Sequence, residues 1–207
     1  MHFLDPGTFV QLLTDHPGWV AFLLFMLVFI EALVGIGYLL PAATVLLAAG
    51  TLAGAGSLSA LPAILGATLG AVAGGQVNFW LGARLANRIE RIWPFSRYPA
   101  LLEQNRHFVE QHGGKSILLA RFAKPLRPTV PAIAGILNMD RRQFNYYNTL
   151  SAPIWVISWI GGGWVLSRVS GLSPDQAVTL SFGLLIGAIL VALLGVRLRN
   201  ALGRNND

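Results

Sequence analysis

The chain has no cysteine, so it can form neither a disulfide nor a thiolate metal site. Charge is scarce: Asp, Glu, Lys and Arg make up 12% of its 207 residues, against about 25% in soluble globular domains. Lys and Arg are missing altogether from residues 1–83. A cleavable secretory signal needs a basic start, and here Asp5 and Asp15 precede any basic residue, so none is expected. The four histidines, His2, His16, His107 and His112, lie in polar flanks without a zinc-like spacing. No metal and no other cofactor is expected. There is no Walker lysine loop, no GxSxG elbow and no HExxH, and Gly161 to Gly163 sit inside an apolar run rather than after a strand. An enzyme is therefore not expected.

What the chain has is apolar length. Hydrophobic residues make up 54% of it and its mean hydropathy is +0.59. These values indicate one domain, an all-α integral membrane protein. The net charge of +6 would suit nucleic acid, but its distribution does not. Basic residues gather in Arg84 to Lys115, at Arg141 and Arg142, and in Arg197 to Arg204, each group beside an apolar run. Loops on the cytoplasmic side of a membrane look like this. No nucleic-acid partner is expected.

Residues 1–17 offer Leu4, Phe9, Leu12 and Leu13 as one face of a short interfacial helix. Residues 18–56 form an apolar stretch of 39 residues that holds Glu31. A single span needs about 20 residues, and Gly35, Gly37 and Pro41 interrupt this one. It reads as a first re-entrant region, either a hairpin or a span with a re-entrant arm, and the side of the N-terminus depends on which. Residues 58–82 are a clean span. Within it Gly66, Gly70 and Gly74 share one helix face, which suits internal packing first and a homodimer second. Residues 84–114 are polar and suit amphipathic helices at the cytoplasmic surface.

Residues 115–137 are apolar at both ends yet hold Arg121, Lys124 and Arg127 with Pro125, Pro128 and Pro131. A straight span does not carry three cations and three prolines. Broken helices at membrane depth occur where they line a cavity. The segment reads as a second re-entrant hairpin, with Pro41, Pro125, Pro131 and Gly135 as the hairpin breaks. Residues 144–166 and 177–196 are two further spans, which leave the C-terminus cytoplasmic and only Arg168 on the far side. Trp93, Tyr146, Tyr147, Trp155 and Trp164 read as an interfacial belt. An interrupted segment with a buried charge precedes an intact span twice, over 18–82 and 115–166. The expected fold is thus transmembrane helices plus two opposed re-entrant hairpins related as inverted repeats, a transporter architecture.

Glu31 is the only charged residue between Asp15 and Arg84. A carboxylate in hydrocarbon costs roughly 2.5 kcal/mol or more and is paired, protonated or in a watery cavity. It reads either as a titrating group on a transport path or as a structural partner for a buried arginine. Arg121 and Arg127 are the matching candidates, because guanidinium forks onto phosphate oxygens. Lys124 adds a point charge. The plainer account is that these cations neutralise Glu31 or snorkel to the interface.

The run RFAKPLRPTVPAIAG at residues 121–135 resembles the signature of the DedA family, also called the SNARE-associated or VTT-domain family. Phe29-Ile30-Glu31 followed by Leu40-Pro41 resembles the family's first re-entrant segment, and Gly74 to Gly82 resembles its aromatic-glycine segment. The resemblance covers roughly residues 15–195. Two positions that are often acidic in the family are Ala43 and Gly75 here, and Pro128 stands where Thr is common. The resemblance implies a multi-pass protein of the bacterial inner membrane. It also implies two opposed re-entrant hairpins and lipid handling, with undecaprenyl phosphate recycling dependent on the proton motive force in bacteria and phospholipid scrambling in eukaryotic relatives. The leading expectation is a lipid translocase (flippase or scramblase) whose substrate-binding residues are Glu31, Arg121, Arg127 and Lys124, with lipid and protons as partners. The alternatives are a proton-coupled exporter of small cations or drugs, an enzyme on lipid phosphates, and an assembly protein without transport.

Overall fold

A computed structural model describes residues 16–34, 41–86, 99–124, 126–181, 183–184 and 186–187. Among these residues the chain is helical, with no strand. Helix α1 runs Pro17–Ala32, α2 Ala42–Gly54, α3 Ala60–Leu85, α4 Pro99–His112, α5 Lys115–Ala120, α6 Thr129–Ile136 and α7 Arg141–Ser170. Residues 174–181 are helical as well. Residues 1–15 of the expected interfacial helix, Gly35, Gly37, Trp93, Pro125, and the last span beyond residue 187 with Arg197 to Arg204 lie outside the described residues.

Local chemistry explains the boundaries. Pro17 opens α1 at its first helical position, where an N–H would have no intrahelical partner. Pro41 stands just before α2, and its carbonyl accepts the N–H groups of Thr44 and Val45 at 3.0 and 3.2 Å. Within residues 18–56, helix α1 gives way to a bend and turn at Leu33 and Val34, and α2 begins at Ala42. Asp140 caps α7: its carboxylate accepts the N–H of Gln143 at 3.0 Å. Gly171, at φ 61°, closes the other end, with the Leu172 N–H on the Ser167 carbonyl. Helices α3 and α7 have 26 and 30 residues and are long and apolar enough to cross a membrane. At about 1.5 Å per residue both exceed a hydrocarbon core of about 30 Å. Helix α4 buries Leu102, Asn105 and Val109 and exposes Glu103, His107 and Glu110, an amphipathic pattern; residues 87–98 of the expected amphipathic region lie outside the described residues.

Two of the expected hairpin breaks are corrected. Pro131 and Gly135 both lie inside α6. Pro131 is in its first turn, where a backbone N–H has no intrahelical acceptor to lose. The interruption among the described residues is instead the turns and bend at residues 121–124 and 126–128, between α5 and α6.

The chain divides into two compact units. The larger comprises residues 18–40 and 61–158. Its apolar core joins Phe79, Leu102, Val109, Ile117, Val130, Ile133 and Phe144. The rings of Phe79 and Phe144 stack with centroids 4.2 Å apart. The face of α3 with Gly66, Gly70 and Gly74 is occupied: α1 lies on it, with the carbonyls of Ala21 and Phe25 where methyl groups would stand on Gly66 and Gly70. The glycine face considered for a homodimer is thus used inside the chain. Helices α3 and α6 meet as closely, Gly82 at the Ala132 carbonyl and Gly135 at the Phe79 carbonyl. In the smaller unit, α2 meets the last part of α7 in the same way, Gly50 at the Ile160 carbonyl and Gly163 at the Leu47 carbonyl. Small residues allow such approach.

Candidate functional site

Each half of the site sits at a chain interruption. Glu31 is in the last turn of α1, one residue before that helix stops. Arg121 caps the C-terminal end of α5, and Arg127 lies near the end of the turn that follows. Tertiary packing in the larger unit brings these interruptions together. The Arg127 Nη1 donates to Glu31 Oε2 at 2.9 Å. The two side chains are only 9% and 6% exposed. The flat face of the Arg127 guanidinium lies 3.6 Å from the centre of the Trp155 ring. Its Nε and Nη2 are buried and find no hydrogen-bond partner among the described residues.

Arg121, 6% exposed, is held differently. Its Nε donates to Ser151 Oγ at 2.9 Å, and its Nη2 to Asn148 Oδ1 at 2.6 Å and the Asn148 carbonyl at 3.4 Å. These partners are neutral. Among the described residues Arg127 pairs with Glu31, and Arg121 has no carboxylate within ion-pair distance. Both guanidinium groups line one small cavity with Gly75, Asn78, Ile117 and Pro131. Its volume is about 10 Å³, about enough for one water molecule.

Lys124 does not join them; it is exposed in the same turn. Trp155 is corrected from the expected aromatic belt: it is 2% exposed and serves as the platform under Arg127. Tyr146 and Trp164 do lie on the surface.

The sequence reading gave no role to the two buried asparagines. Asn78, on α3, donates from Nδ2 to the carbonyls of Ala32 at 2.6 Å and Pro128 at 3.1 Å, and its Oδ1 accepts the Val34 N–H at 3.2 Å. Ala32 follows Glu31 and Pro128 follows Arg127, so one amide ties the main chain next to each member of the ion pair. Asn148, on α7, donates from Nδ2 to the Val72 carbonyl at 3.0 Å while its Oδ1 holds Arg121. The signal that could have found them is an amide inside an otherwise apolar span, since polar side chains at membrane depth bond across helices. Replacing Asn78 with Ala removes three hydrogen bonds, each worth a net ~0.5–1.5 kcal/mol. The expected result is a loss of about 2–4 kcal/mol, read as a lowered denaturation midpoint of the purified protein. An unchanged midpoint would mean that the amide clamp contributes nothing.

The VTT-domain family model matches residues 40–165. Inner membrane protein YabI of Escherichia coli strain K12 is 32% identical over 155 residues, which are 74% of this chain and 57% of that relative. The chain therefore spans little more than half the length of YabI. Protein DedA of the same strain is 28% identical over 188 residues, covering 89% of this chain and 83% of DedA. Inner membrane protein YqjA of that strain is 27% identical over 176 residues, covering 84% and 80%. No solved structure matches.

Proposed function

Because the chain belongs to the VTT-domain family, the DedA family of membrane proteins, we propose that it is a lipid translocase of the bacterial inner membrane. Its cargo is undecaprenyl phosphate or a phospholipid, and Arg121 and Arg127 receive the phosphate. One observation carries the reading: two buried guanidinium groups share a cavity, and among the described residues only Arg127 is paired with a carboxylate. A charge kept in an apolar interior without a counter-ion is costly, and a phosphate arriving there would lower that cost. The orphaned Nε and Nη2 of Arg127 supply the fork that phosphate oxygens need. The acyl or prenyl chains stay in the bilayer, so only the head requires a polar path.

At about 10 Å³ the cavity holds no more than a water molecule, so a phosphate would have to open it. Entry of a head requires Arg127 to leave Glu31, and Glu31 then takes another partner or a proton. This exchange is the step at which proton coupling would enter. The order helix, interruption, helix, span occurs as α1–α2–α3 and again as α5–α6–α7. The close seams of α2 with α7 and of α6 with α3 have one construction: a glycine and the carbonyl three residues before it, on both sides. This correspondence supports reading the two sets as inverted repeats whose interrupted arms are re-entrant. The chemistry remains non-covalent: no enzyme activity is proposed.

Reconstitution of the pure protein in liposomes tests this. Labelled polyprenyl phosphate and labelled phospholipid are followed across the bilayer, with and without a pH gradient. Movement of at least one lipid above protein-free vesicles is expected, and its response to the gradient reads out coupling. No movement by folded protein, or flux of a water-soluble cation instead, would overturn the proposal.

A further inference from the structure

Arg121 is one of two buried guanidinium groups in the site, and its surroundings are built to leave its charge alone. Its Nε and Nη2 meet a hydroxyl and an amide oxygen, at 2.9 and 2.6 Å. The Asn148 amide is locked in that orientation: its nitrogen donates to the Val72 carbonyl at 3.0 Å, so its oxygen must face Arg121. The Ser151 hydroxyl is in turn aimed by its own bond to the Asn148 carbonyl at 3.3 Å. Across the cavity, Gly75 leaves room for this amide. A side chain there would begin 2.5 Å from Asn148 Oδ1, so no carboxylate reaches Arg121 from that wall. Of the charged groups described here, Arg121 and Arg127 contribute two positive charges and Glu31 one negative, a formal sum of +1.

We propose that Asn148, with Ser151, is the positioning residue that sets the charge preference of the site. It holds Arg121 with dipoles instead of a counter-ion, so the site prefers a lipid head of net negative charge to a zwitterionic one. The inference rests on the reading of this site as a lipid-phosphate site and adds which heads it favours. A carboxylate at position 148 would have nearly the same shape and would bring the sum to zero. An alanine would lose the hydrogen bonds and keep the sum at +1. Charge and support are thereby separable.

The test uses the full chain in detergent and measures binding of short-chain phosphatidylglycerol and short-chain phosphatidylcholine by titration calorimetry. The wild-type protein is expected to favour the anionic lipid by roughly tenfold or more. Asn148→Asp should bring the ratio of the two affinities close to one. Asn148→Ala should weaken both lipids yet keep the anionic preference. If Asn148→Asp yields no folded protein, Ser151→Asp brings the same charge to the Nε side and is read the same way. Equal binding of both lipids by the wild type, or an unchanged ratio in the Asp variant, would overturn the assignment. Preference in detergent with no movement in liposomes would sink translocation and leave this inference standing.

Discussion

Arg127→Ala, reconstituted beside the wild-type protein, will move labelled polyprenyl phosphate and phospholipid no faster than empty vesicles. The residue is the point at which the two interrupted segments meet. It pairs with Glu31 at 2.9 Å, stacks on Trp155 and carries the unbonded donors that would take a phosphate. Arg127→Lys keeps the charge and loses both the planar fork and the stacking, so it should retain at most about a tenth of the rate. Glu31→Ala should also stop transport, by leaving nothing to exchange with the head. The two alanine variants should differ in stability. Removing Glu31 strands a guanidinium that cannot give up its charge, which costs about 3–5 kcal/mol in a buried pair. Removing Arg127 leaves a carboxyl that can become neutral by taking up a proton, so the loss is smaller. Measured translocation rates and denaturation midpoints of the purified variants check both statements. Normal transport by Arg127→Ala and Glu31→Ala together would end the mechanism proposed here.

The second large effect falls on the seam of α3 and α6, which carries Arg127 to its place. A methyl group on Gly135 would land on the Phe79 carbonyl and the Ala83 nitrogen, both main-chain atoms that cannot swing away. Gly135→Ala is therefore expected to separate the helices and to cost about 3 kcal/mol or more, the upper range for overpacking. The Ala132 side of the seam predicts the same for Gly82→Ala. Gly161→Ala is the control: nothing stands within 4 Å of its added carbon, and the substitution favours a helix. Thermal unfolding in detergent should show the first two variants well below wild type and the third at or slightly above it. If Gly135→Ala unfolds with the wild type, the two backbones do not touch.

Much of the architecture was legible in the sequence because it follows from local, nearly additive quantities. The length of the stretch 18–56 against the thickness of a bilayer required an interruption, and Pro41 marked where the second helix starts. The load of cations and prolines in 115–137 required another. The isolation of Glu31 in an apolar run, and of Arg121 and Arg127 in a second one, marked all three as candidates. The exact position of the second interruption was not legible. Proline reads as a breaker by residue type, but its effect depends on helix position, and Pro131 falls where a helix begins.

The sequence by itself determined that this is a helical membrane chain of the DedA family and that its few deep charges lie at helix interruptions. Tertiary structure alone decided how those charges are used. It paired Glu31 with Arg127, 96 residues away, and gave Arg121 to an amide and a hydroxyl. It turned Lys124 outward, set Trp155 beneath a guanidinium, and made Asn78 the tie between two helix ends. The physical reason is range. Hydropathy and helix breaking are properties of neighbouring residues, whereas the choice among buried cations depends on which backbones glycines allow to approach, and on where the side chains of a turn then point.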